Sequence, residues 1–83
     1  MNDIIGMIHL FAGNFAPKGY MYCDGTLLQV NQYTALFSLV GTLYGGNGKT
    51  NFALPLIDPV NSQMADSQLR YIICVDGIYP SRP

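Results

Sequence analysis

The sequence predicts a small α+β domain, with several short β-strands arranged around one short α-helix and joined by glycine-rich loops. Three observations predict it. Runs of β-branched and large apolar residues recur near both ends, at Ile4–Phe11 and Leu69–Val75. Only one stretch carries a helical apolar period, Tyr33, Leu36, Phe37 and Val40. Between these runs, clusters of Gly, Pro and Asn punctuate the chain.

Taken in order, Ile4–Phe11 reads as a first strand with His9 as its only ionisable member. Ala12–Gly19 contains Gly13, Asn14, Pro17 and Gly19 and reads as a loop. Tyr20–Asp24 is a second short strand closed by the Asp24-Gly25 turn pair, and Leu27-Leu28 returns as a strand stub. Asn31 is placed to N-cap the helix, and Gly41 to C-cap it. Gly45-Gly46-Asn47-Gly48 forces a loop, after which Phe52–Leu54 extends ahead of Pro55. Asp58–Ser67 is polar and reads as a surface connection. Leu69–Val75 is the strongest strand, with Leu69, Tyr71, Ile73 and Val75 on one face and Ile72 and Cys74 on the other. Apolarity on both faces predicts a central strand, or one covered by a neighbouring subunit. The tail Tyr79–Pro83 cannot extend a central strand. Cys23-Asp24-Gly25 and Cys74-Val75-Asp76-Gly77 read as two similar turns rather than a repeat.

Composition narrows the function. The 83 residues are 49% hydrophobic and 11% charged, with no Glu and a formal charge of −1, against about 25% charged residues in ordinary soluble domains. Such a chain is neither disordered nor an electrostatic nucleic-acid binder. No apolar run approaches the roughly 18 residues of a membrane span, and Met1-Asn2-Asp3 lacks the basic start of a signal peptide. The length suits one domain, residues 1–83. A core of this size cannot hide so many apolar side chains. The surplus is therefore expected to be covered by another subunit, since obligate interfaces resemble a domain core cut in half.

Residue chemistry offers little for catalysis. Gly48-Lys49-Thr50 suggests a phosphate loop, but the position five residues before Gly48 is Leu43 where glycine is required, and the glycines follow a helix instead of preceding one. Asp24 and Asp76 are each followed by glycine, which favours turn-capping over paired-carboxylate hydrolysis. The lone His9 cannot build a zinc site within one chain and reads as a core or interface residue, unless three copies met on a trimer axis. Cys23 and Cys74 are compatible with one disulfide or with two buried thiols acting as small hydrophobes. The six tyrosines suit packing, interfaces or sugar-binding surfaces. No enzyme, cofactor or metal is expected. The candidate interaction loop is Gly45, Gly46, Asn47, Gly48, Lys49 and Thr50. The candidate oligomer or core packing set is Tyr33, Leu36, Phe37, Val40, Leu69, Tyr71, Ile73 and Val75.

Phe11–Tyr20 followed by Cys23-Asp24-Gly25 resembles the opening of the phage tail collar domain family, which includes the microcystin-dependent-protein-like tail fibre proteins. The likeness continues through Leu27, Leu28, Asn31, Ala35–Gly41, Tyr44–Gly48, Thr50 and Phe52–Pro55, and the ending Tyr71–Arg82 is similar to the way those proteins finish. Tyr20 stands where the family usually has tryptophan, and Asn47 where aspartate is common. Leu56–Gln68 replaces a long variable head that often carries a His-x-His metal motif, so the likeness is to a collar domain without its head. The resemblance implies a structural and attachment component of a phage tail fibre, tail tip or phage-like contractile apparatus. It further implies a homotrimer assembled in the bacterial cytoplasm, residing in the virion tail and contacting other tail or baseplate proteins. A small carbohydrate-binding module for host surface glycans is the alternative.

Overall fold

The computed structural model describes residues 3–61 and 68–81. Its elements are β1 (Ile8–Phe11), β2 (Tyr20–Tyr22), β3 (Leu27–Gln29), α1 (Thr34–Val40), β4 (Asn51–Ala53), β5 (Val60–Asn61) and β6 (Gln68–Cys74). This is a small α+β arrangement of short strands in two sheets with one short helix. In the larger sheet β6 lies between β1 and β2, all antiparallel, and β5 pairs with the start of β6. β3 and β4 form a separate two-stranded sheet.

The position of β6 follows from its two apolar faces. Ile72, Ile73 and Cys74 are all buried, so both faces of the strand are covered. Ile73 stands opposite Ile8 on one side and Met21 on the other, and Tyr71 opposite Leu10. Such cross-strand apolar pairs are the unit of sheet stabilisation.

Several boundaries differ from the sequence expectation. The first strand starts at Ile8, not Ile4, because a tight turn closed by the Met7 N–H on the Ile4 carbonyl interrupts it. Ile4 instead forms a parallel bridge with Ile78. β2 stops at Tyr22, although the Cys23 N–H still reaches the Tyr71 carbonyl. The helix begins at Thr34 with Tyr33 at the N-cap and no side-chain capping bond, so Asn31 does not cap it. The reason is that strand pairing runs on to Val30, whose N–H bonds the Thr50 carbonyl, and a turn through Gln29–Tyr33 precedes the helix. Gly41 does end it, its N–H bonding the Phe37 carbonyl. The polar connection at Asp58–Ser67 contributes β5 at Val60–Asn61, while residues 62–67 lie outside those described.

The core draws on both sheets and the helix. Leu28 from β3, Leu36 from α1, Phe52 from β4 and Ile73 from β6 join Ile5, Cys23 and Leu54. Phe52 is fully buried, and its ring meets that of Phe37 at 5.3 Å between centroids in a tilted pairing, a geometry that adds to simple area burial. Phe52→Ala is expected to cost about 3–5 kcal/mol, read as a lowered urea midpoint. Leu43→Ala, at a position 78% exposed, should stay within about 0.5 kcal/mol of the parent.

Candidate interaction surface

The Gly45–Thr50 loop is held by one side chain. Asn47 Oδ1 accepts the N–H groups of Lys49, Thr50 and Asn51 at 2.8, 2.9 and 3.2 Å. Its Nδ2 donates to the Thr50 hydroxyl at 3.0 Å. The Asn47 N–H in turn donates to Asn51 Oδ1, and the Gly48 N–H to the Asn51 carbonyl. Every backbone N–H from Asn47 to Asn51 is therefore used inside the loop. A phosphate cradle needs such donors free, so the Gly48-Lys49-Thr50 sequence serves loop geometry here. Gly46 allows this closure: at φ +91° it lies against β4, where a Cβ would collide with the Phe52 backbone. Lys49 and Thr50 are exposed.

A second cluster ties the chain ends together. Asp3 Oδ2 accepts the Tyr20 hydroxyl at 2.6 Å and lies 2.7 Å from His9 Nε2, while Asp3 Oδ1 accepts the Ile4 N–H. The Asp3 carbonyl takes the Ile78 N–H, and the Ile5 N–H returns to the Ile78 carbonyl. The Tyr20 hydroxyl, then His9, hold the Asp3 carboxyl below the usual carboxylate range. In return the Asp3 carboxylate pushes Tyr20 up to about 12. His9 is an exposed partner in this cluster, with 44% of its side chain accessible, and not a core residue. Sequence reading missed the cluster because Asp3, His9 and Tyr20 belong to three separate segments.

The remaining chemical candidates lie apart. Asp24 accepts both the N–H and the hydroxyl of Thr26, the turn-capping role expected of it, and the Thr26 hydroxyl is the main reason its carboxyl sits low. It borders a cleft with Asp58 and Arg70, whereas Asp76 borders a different groove with Tyr33. The two carboxylates share no site. The Arg70 guanidinium lies 3.7 Å from the centre of the Tyr22 ring, a cation–π contact. Cys23 and Cys74 are buried free thiols, and burial pushes the Cys23 thiol up to about 11. Among the described residues no cluster of His, Cys, Asp or Glu could hold a metal ion, and no helix is long and apolar enough to cross a membrane.

Of the packing candidates, Leu36 and Ile73 are fully buried within the chain, while Tyr33, Phe37, Val40, Leu69, Tyr71 and Val75 are half-buried. The exposed apolar surface comes from other residues. Ile4, Met7, Leu39, Ile78 and Tyr79 are 36–52% accessible. Contacts among their segments make them neighbours: Ile4 bridges Ile78, Gly6 lies beside Leu39, and the Ser38 hydroxyl meets that of Tyr79 at 2.7 Å. Beside it, the Asp3 carboxylate is engaged by Tyr20 and His9. Ile8 and Leu10 on edge strand β1 are also exposed.

Residues 6–56 match the family model of the phage tail collar domain. A comparison with curated proteins finds no match.

Asn47→Ala should cost about 1–2 kcal/mol through lost loop hydrogen bonds. Asn47→Asp, which keeps the accepting oxygen, should stay within about 0.5 kcal/mol of the parent by the same urea midpoints. The Asp3 cluster carries a pH signature. The depressed Asp3 carboxyl stabilises above its unfolded value of about 3.9, and that contribution disappears as pH falls through the folded value. The raised Tyr20 hydroxyl stabilises below its unfolded value of about 10, and that contribution disappears as pH rises toward about 12. The stability gap between parent and Asp3→Asn should therefore narrow below about pH 4 and above about pH 10, measured by urea denaturation across pH.

Proposed function

The chain belongs to the phage tail collar domain family, and on that premise we propose that it is a tail structural component that works by packing against copies of itself and against neighbouring tail proteins. The observation that carries this reading is the exposed apolar surface formed by Ile4, Met7, Leu39, Ile78 and Tyr79. Apolar area left in water forfeits about 25 cal/mol per Å², and contiguous exposed patches of this kind mark protein contacts. The core is instead built on Leu36, Phe52, Leu54 and Ile73, which are buried. Ile8 and Leu10 on edge strand β1 are further exposed apolar residues.

Within this reading the assembly is a homotrimer, the stoichiometry implied by the family resemblance. It takes its place in a tail fibre, a tail tip or a phage-like contractile apparatus, and helps attach the particle to its host. Such a component is made and assembled in the bacterial cytoplasm before joining the particle. The role is mechanical and involves no turnover. It also accounts for the low charge, since a surface buried between subunits gains nothing from ions that would need desolvation.

Native mass spectrometry of the purified chain at micromolar concentration should show an oligomer, and a stable monomer overturns the reading. Met7→Lys and Ile78→Asp place charges on the exposed surface and should shift the oligomer toward monomer while leaving circular dichroism unchanged. Retention of the parent stoichiometry in both would assign assembly to another surface.

A further inference from the structure

We propose that the groove between the Gly19–Met21 segment, the Gln32-Tyr33 turn and Asp76 is a binding site for a neutral or amino sugar unit of a surface glycan. The groove has a volume of about 580 Å³, within the range typical of small-molecule sites. It is assembled from three stretches distant in sequence, and its lining combines two tyrosine rings with a carboxamide and a carboxylate. A pyranose presents an apolar patch of C–H bonds beside a rim of hydroxyls. Tyrosine rings suit the first, and a carboxylate and a carboxamide suit the second, since one accepts and the other both accepts and donates.

The groove is preformed. The Tyr20 hydroxyl is tied to Asp3 at 2.6 Å, and its ring meets the His9 ring in an edge contact 6.1 Å between centroids. The Val75 and Asp76 N–H groups both close on the Gly19 carbonyl. The Tyr33 N–H is bonded to the Gln29 and Val30 carbonyls, and its own carbonyl accepts the Phe37 N–H. Walls already ordered reduce the entropy lost on binding. Gln32 and Asp76, by contrast, are exposed, so their polar ends are accessible from the groove. Charge selects the class of sugar. Among the described residues Asp76 is the one charged residue lining the groove, with the Asp3 carboxylate next to Tyr20. A uronic or sialic acid would meet repulsion, whereas neutral hydroxyls and amino groups would not.

The test is ¹⁵N-resolved NMR titration of the full chain with glucose, N-acetylglucosamine and glucuronic acid. The two neutral sugars should move the amides of Gly19, Tyr20, Gln32, Tyr33 and Asp76 with a Kd on the order of 1 mM, and glucuronic acid should not. Tyr33→Ala should weaken neutral-sugar binding about tenfold. Because Tyr33 also packs on the core, the exposed Gln32→Ala and Asp76→Asn variants keep the test sound: each should weaken binding with the fold unchanged. Asp76→Asn should in addition admit glucuronic acid, a gain that no loss of structure would produce. Unmoved groove amides at large molar excess of the neutral sugars overturn the proposal, as does equal binding of glucuronic acid by the parent chain. Native mass measured on the same samples separates the two readings. An oligomer without sugar binding removes only the groove assignment, and a monomer that binds sugar removes only the assembly reading.

Discussion

Every other strand of the larger sheet takes its hydrogen bonds from β6. β1 and β2 flank it over Ile8–Phe11 and Tyr20–Tyr22, and β5 joins its first residues. A strand in that position must bury both faces, and Ile72, Ile73 and Cys74 do so. The family match ends at residue 56, yet the strand that organises the matched segment lies after it. Pairing at this range requires the closing of a long loop, so the sheet depends on contacts that cannot form locally.

The second sheet and the helix depend on that frame through Phe52. This ring sits on β4, meets Phe37 from α1 and belongs to the cluster that includes Ile73 of β6. The backbone of Phe52 also sets how closely the glycine loop can approach, which is why Gly46 tolerates no side chain. One buried residue therefore connects the core to the geometry of an exposed loop. Asn47 completes that loop from within by using its backbone donors internally. The result is an exposed loop whose backbone N–H groups are bonded internally and cannot cradle a phosphate.

Scarcity of charge has a structural counterpart in where the few charges are spent. Asp3 stitches the N-terminal segment to Tyr20 and His9, Asp24 caps a turn, and Arg70 covers Tyr22. Ile4, Met7, Leu39, Ile78 and Tyr79 are left exposed, and the assembly proposal places its contacts there. Asp76 lines a separate groove with Tyr20 and Tyr33.

Much of the fold was legible in residue order. The two-faced apolarity of Leu69–Val75 announced a central strand, the period Tyr33, Leu36, Phe37, Val40 announced the single helix, and the motifs from Phe11 to Pro55 announced the family. These are signals between near neighbours, where side-chain period and backbone preference act directly. The helix start was misplaced at Asn31 because β3 keeps its partner as far as Val30, a tertiary pairing that overrides a capping preference. Meetings between distant segments were beyond the sequence: Asp3 with His9 and Tyr20, the patch uniting Ile4, Leu39 and Ile78, and the groove joining Tyr20, Tyr33 and Asp76. The sequence by itself determined which stretches extend, turn or coil, because those choices are paid for locally. Only the tertiary structure decided which apolar residues the core took and which it left outside, because the volume around Phe52 and Ile73 is finite and no local pattern records when it is full.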